Sequence, residues 1–135
     1  MTNLKVEQTK KELSCADRIE QNFQDRYEEL QEDFKDQDFF PANFFEQKGL
    51  SIDLIEKEEL DLDDHFIRYQ LSWGGPSDEF RFWKDGKISY HFMDWYDHAE
   101  KDITAMLRYD PVIQKFTDLF TSMYEGLFDH MRYLD

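Results

Sequence analysis

The chain has little that could staple it covalently and little that could bury it in a bilayer. Its one cysteine, Cys15, permits no internal disulfide and fits a reducing compartment. No apolar run approaches the roughly 18 residues of a membrane span, and the opening MTNLKVEQTKKEL has no apolar core of a secretory leader. Cations are scarce: 16 Lys and Arg face 31 Asp and Glu, a net charge of −15. That deficit argues against direct binding to DNA, RNA or an anionic membrane, where affinity rests on Lys and Arg meeting phosphates. These absences predict a cytoplasmic protein with no membrane segment.

Catalytic and cofactor signatures are also missing. Gly74-Gly75 is not a phosphate-binding loop, because no strand, glycine-rich turn and helix follow one another there. It reads instead as a tight turn letting two backbones approach. Cys15 has no neighbour that would activate a thiolate. Among the four histidines, only His91 and His98 fall near acids, Asp94 and Asp97, and these four could offer nitrogen and oxygen ligands to a divalent metal. Their spacing matches no known ligand pattern, so no metal, cofactor or catalytic residue is assigned. Arg68, Arg81, Trp83 and Trp95 could form a stacking platform for nucleic acid, a reading the net charge opposes. The protein is expected not to be an enzyme.

What the chain does have is apolar and aromatic weight. Of 135 residues, 40% are hydrophobic and 17% aromatic, enough for one domain with a real core and too much for a disordered acidic tail. Residues 1–64 hold 19 acids against 8 Lys and Arg, net −11, and residues 65–135 hold 12 against 8, net −4. The acidity therefore lies mainly ahead of the centre of the chain.

Residues 1–36 read as a long acidic helix. Leu13, Ala16, Ile19, Phe23, Tyr27, Leu30 and Phe34 recur at spacings of three and four, with Val6 ahead of them. Glu7 and Lys11 sit one turn apart on it. The other face carries Asp17, Glu20, Asp25, Glu28, Glu29, Glu32, Asp33 and Asp36. Pro41 ends this helix, since the residue before a proline is pushed out of the helical region. Residues 37–64 then hold a short helix around Phe44-Phe45 closed by Gly49, a strand from Leu50 to Glu56, and an acidic connection, EKEELDLDD.

Residues 65–95 carry the period-two signal of an antiparallel sheet. Ile67, Tyr69, Leu71 and Trp73 fall on one face, and Arg68, Gln70 and Ser72 on the other. Around Lys84-Asp85-Gly86, a two-residue loop would mix polar and apolar faces. A three-residue loop with Gly86 left-handed at a bulge places Phe80, Phe82, Ile88, Tyr90 and Phe92 together, and is the expected register. Arg81, Trp83, Ser89, His91 and Met93 then share the opposite face. Residues 96–135 hold a connection with conflicting strand and helix signals, then a C-terminal helix starting at Asp110-Pro111. The expected fold is α+β: a long N-terminal helix, a three- to four-stranded antiparallel sheet, and a C-terminal helix packed on it.

The stretch YQLSWGGPSDEFRFW, with its Asp-Gly turn and the following YHFMDWYDHA, resembles small proteins of phages and mobile elements. In those, a strand ending in Gly-Gly-Pro precedes a hairpin and an Asp-Trp strand end. The likeness covers residues 65–99 and carries no catalytic residues. In size and acidity the chain is similar to phage-encoded antirestriction and anti-CRISPR inhibitors, many of which present carboxylates where their target expects phosphates. That resemblance implies a non-enzymatic inhibitor of a basic nucleic-acid-handling protein, such as a CRISPR effector or restriction enzyme. The expected partner-binding residues are Glu28, Glu29, Glu32, Asp33 and Asp36 on the helix, with Glu58, Glu59, Asp61, Asp63 and Asp64 in the connection. The alternative is a homo-oligomeric adaptor or immunity protein, a homodimer joined through the Leu13–Phe34 stripe.

Overall fold

A computed structural model of the chain describes residues 13–35 and 39–135. The α+β architecture is as expected, with one strand more than the sequence pattern indicates. Helix α1 (Cys15–Lys35) and short helix α2 (Phe44–Lys48) precede β1 (Ser51–Ile55). Then come β2 (Phe66–Ser72), β3 (Pro76–Trp83), β4 (Ile88–Asp94) and β5 (Asp97–Asp102), and finally α3 (Pro111–Met123) and α4 (Glu125–Arg132). The five strands form an antiparallel meander in sequence order. The expected extension of the first helix toward Lys5, with Val6 and the Glu7–Lys11 pair, and the expected site residue Asp36 all lie outside the described residues.

The central hairpin has the register that burial demands. Phe82 pairs with Ile88 and Phe80 with Tyr90 across β3 and β4. Gly86 has φ +95, its N–H bonds the Trp83 carbonyl at 3.0 Å, and the Trp83 N–H bonds the Lys87 carbonyl at 2.9 Å. This is the three-residue loop with a left-handed glycine bulge.

One face of the sheet is mainly aromatic and aliphatic, and the helices pack there. Phe23 of α1 meets Tyr90 edge-on, with ring centroids 5.6 Å apart, and Phe45 of α2 meets Tyr69 at 5.5 Å. Phe116 of α3 lies against Phe80 at 4.9 Å, and Phe120 stacks on Phe82 at 4.4 Å. Ile67, Tyr69, Tyr90, Ile113, Phe116 and Phe120 each expose 2% or less. Burying side chains of this size contributes about 1.5–3 kcal/mol apiece before conformational entropy is set against it.

Several local expectations are corrected. The connection after β4 is both candidates in succession: β5, then a 3₁₀ turn over Thr104–Arg108. The C-terminal helix begins as expected, with the Asp110 carboxylate accepting from the Val112 and Ile113 N–H groups, but breaks at Tyr124 into α3 and α4. Trp73 does not continue the buried face of β2. That strand ends at Ser72, beside an irregularity in register, and Trp73 is 76% exposed. Gly74 takes φ +147, yet a Cβ at Gly74 or Gly75 would meet nothing within 4 Å, so the turn is real and the close backbone approach is not. The close approach is at Gly49, where a Cβ would sit 2.5 Å from the Tyr69 ring and 2.9 Å from the Gln70 carbonyl.

Candidate functional site

Helix α1 is bound to the sheet by polar contacts on its inner edge. The Cys15 N–H donates to Asp97 at 2.7 Å, at the start of β5. Arg18 pairs with Asp94 at 2.6 Å at the end of β4, its guanidinium 4.7 Å from the centre of the Phe92 ring. Farther along, Arg26 grips Asp78 of β3 with two nitrogens, at 2.7 and 2.9 Å. Tyr90 donates to the same carboxylate at 2.6 Å, and Ser72 also bonds it. Burial pushes the Asp78 carboxyl up, but the bonds from Arg26, Ser72 and Tyr90 outweigh it and hold it below the usual carboxylate range. The helix thus crosses the sheet from β5 toward β3 in a fixed orientation.

That orientation turns the acids outward. Asp17, Glu20, Asp25, Glu28, Glu29 and Glu32 are all exposed. Among the described residues, no Lys or Arg pairs with Asp17, Asp25, Glu28 or Glu32, whereas Arg26 touches Glu29 and Lys101 touches Glu20. Asp33 is half-buried and held by Lys48 at 2.8 Å. Of the six exposed carboxylates, which span ~23 Å of helix, the four without a Lys or Arg partner among the described residues leave about one uncompensated charge per 7–8 Å.

The second expected group lies elsewhere. Glu58, Glu59, Asp61 and Asp63 are exposed on the link between β1 and β2, whose 3₁₀ turn spans Lys57–Glu59. Glu59 belongs to a capping box with Glu56, Asp61 takes φ +54, and Asp64 caps the His65 N–H at 2.9 Å. This link joins the end of the sheet holding Ile55 and Phe66, while α1 is anchored at the opposite end, at Asp78, Asp94 and Asp97. The structure therefore does not bring the two acid groups into one surface.

Between α1 and α2 lies a cavity of about 260 Å³. Its walls are Leu30, Phe44, Phe45, Tyr69, Leu71 and Phe80, and Glu29, Glu32 and Asp33 stand at its rim. Three of the expected partner-binding acids thus border an apolar socket. Most of the Leu13–Phe34 stripe faces inward: Ile19, Phe23 and Leu30 are buried in the chain's own core, and Leu13 and Ala16 at its start are exposed.

The other face of the sheet is polar and yet largely buried. Gln70, Glu79 and His91 lie side by side on successive strands, all under 10% exposed. Arg81 pairs with Glu79 at 2.7 Å and covers the Phe66 ring, so it is not a free cation for a nucleic-acid platform. The Trp83 indole N–H donates to Ser89 Oγ at 2.7 Å, Ser89 bonds His91 Nε2 at 2.7 Å, and His91 Nδ1 meets His98 Nε2 at 2.7 Å. Burial, with help from Arg81, His98 and Lys87, pushes the His91 pKa down to about 2. Both ring nitrogens of His91 are engaged, Asp94 is held by Arg18, and Asp97 accepts from the Cys15 and His98 N–H groups. The four residues therefore do not form one cluster: the two histidine rings bond each other, while Asp94 is taken by Arg18 and Asp97 by backbone N–H groups.

One feature escapes the sequence reading. At the end of the sheet where α1 begins, Trp73, Trp95 and Tyr96 line one open depression and are 76%, 87% and 104% exposed. Asp94-Trp95-Tyr96-Asp97 carries the cue, a two-residue turn closed by paired aspartates, but its aromatics resemble core residues.

No protein-family model, no curated protein and no solved structure matches this chain. No helix of the described residues is long and apolar enough to cross a membrane.

Proposed function

We propose that the protein is a non-enzymatic inhibitor from a phage or mobile element. It binds a basic nucleic-acid-handling protein, such as a CRISPR effector or restriction enzyme, and blocks its nucleic-acid site. The observation that carries this reading is the outward carboxylate row of α1, in which Asp17, Asp25, Glu28 and Glu32 pair with no Lys or Arg among the described residues. Such a row steers a cationic partner from a distance and weakens as salt screens it. The apolar socket beside Glu29 and Glu32 supports a contact that is partly apolar, since rim charges set approach while buried apolar contacts set lifetime. The separation of the two acid groups makes α1 the primary contact and the Glu58–Asp64 link a secondary one.

The test is a pull-down of CRISPR effectors and restriction complexes with the tagged protein, with and without competing DNA. A variant carrying Glu28→Lys, Glu29→Lys and Glu32→Lys is run beside the natural chain. Capture that DNA displaces and the reversals abolish is the expected result. Unchanged capture by the reversed variant would sink the mimic reading.

A further inference from the structure

Trp95 occupies a backbone conformation that costs energy and gains no packing in return. It is the first residue of the two-residue loop between Asp94 and Asp97, with φ +57. Loops of this length require positive φ there, and glycine or asparagine normally supplies it. A bulky side chain in that region is a genuine outlier. Here the ring is 87% exposed, so no internal contact offsets the strain. Strain retained without an internal benefit points outward, to function.

Trp95 is not alone. Trp73 from the β2–β3 turn and Tyr96 border the same depression of about 320 Å³, which Met93 and Ser77 also line. Exposed aromatics gathered from two separate turns mark a contact surface, and Trp and Tyr are the residues that most often anchor one. The charge around them selects the partner. Among the described residues, no Lys or Arg lines the depression, whereas Asp97 does. On the adjoining first turns of α1, Asp17 pairs with no described Lys or Arg, Glu20 is held by Lys101, and Arg18 is engaged by Asp94. His98 also lines it, its pKa held down by burial with Arg81 assisting. A second copy of this chain would bring its own −15, and an anionic lipid or nucleic acid would be repelled likewise.

We propose that Trp73, Trp95 and Tyr96 form an anchoring platform for arginine side chains of a basic segment in the partner protein. The planar guanidinium stacks on indole and phenol faces and is less strongly hydrated than an ammonium group, so arginine is favoured over lysine. This rests on the reading that the partner is basic. It adds that the platform and the carboxylate row of α1, which starts beside it, form one continuous interface.

The experiment titrates the whole chain into fluorescein-labelled arginine and lysine homopeptides of equal length, followed by anisotropy. It is run at low salt and at about 1 M NaCl, where the screening length falls to ~3 Å. The expected result is that the natural chain prefers arginine and keeps that preference at high salt. Trp73→Ala/Trp95→Ala should then weaken arginine binding about tenfold at both salts, while Glu28→Lys/Glu32→Lys weakens it mainly at low salt. An unaltered circular dichroism melt for each variant excludes misfolding as the cause. If the aromatic variant binds like the natural chain while the charge reversal weakens binding, the platform is overturned and the basic-partner reading stands. If neither variant weakens binding, both fall. A blue shift of tryptophan emission on phosphatidylcholine vesicles, or a dimer that Trp73→Ala/Trp95→Ala dissolves, would assign the platform to a lipid surface or to self-association and overturn the proposal.

Discussion

Arg26 and Asp78 meet through two hydrogen bonds, Nε to Oδ2 at 2.7 Å and Nη2 to Oδ1 at 2.9 Å, and join the middle of α1 to β3. Asp78 also receives Tyr90 and Ser72, so one buried carboxylate on β3 ties β2, β4 and α1 to its own strand. Its position decides which side of α1 faces water, and hence where the free acids point.

Removing that carboxylate strands Arg26 and the Tyr90 hydroxyl together. Asp78→Ala is expected to cost about 3–5 kcal/mol, the range for breaking one half of a buried pair. Arg26→Met, which keeps the stem and removes the charge, leaves Asp78 with Tyr90 and Ser72 and should cost less. Urea unfolding followed by circular dichroism would rank the two, and equal small losses would show that the clamp does not hold α1 in place.

The buried His91 gives a stability that depends on pH in a definite direction. Its folded pKa is pushed down to about 2 from an ordinary 6.5. Below 6.5 the unfolded chain takes a proton that the folded chain refuses, so stability is complete above that pH and falls as pH drops. The slope is about 1.4 kcal/mol per pH unit, or roughly 2 kcal/mol by pH 5. Carboxylates contribute little in this window, because their shifts act near and below 4. Thermal melts at pH 7 and pH 5 should separate clearly for the natural chain and less for His91→Gln.

Trp95 exchanges stability for an exposed ring. Trp95→Gly relieves the φ +57 strain and is expected to raise stability by up to about 1 kcal/mol, less what glycine adds in unfolded-state entropy. A loss greater than 1 kcal/mol in chemical denaturation would show that the ring packs more than its exposure implies.

Two glycines should respond oppositely to the same change. Gly49→Ala places a methyl group 2.5 Å from the Tyr69 ring and 2.9 Å from the Gln70 carbonyl. An overpacked site of that kind costs about 1–3 kcal/mol. Gly75→Ala meets nothing within 4 Å and should be neutral or slightly stabilising. Melting temperatures of the pair measure the contrast directly.

The hairpin register, the start of α3 at Asp110-Pro111 and the amphipathic period of α1 were legible because each rests on local chemistry, whereas the packing of the α1 stripe on the chain's own sheet was not. A two-residue loop would have split the Phe80–Phe92 set, and an Asp-Pro pair both caps and opens a helix. The fifth strand was legible only as one of two options, since DHAEKD has no alternation of its own and is held by backbone pairing to β4 and by α1. Trp73 misled for a related reason: alternation carried it onto the buried face of β2, and composition cannot distinguish an aromatic that packs from one that a turn turns outward.

The sequence by itself determined the charge, the α+β order of elements and the aromatic face of the sheet, because periodicity and turn chemistry act over a few residues. Only the tertiary structure decided which acids share a surface, since that depends on the crossing of α1 over the strands. The Arg26–Asp78 and Arg18–Asp94 contacts fix that crossing across 52 and 76 residues of chain, and no local pattern encodes them.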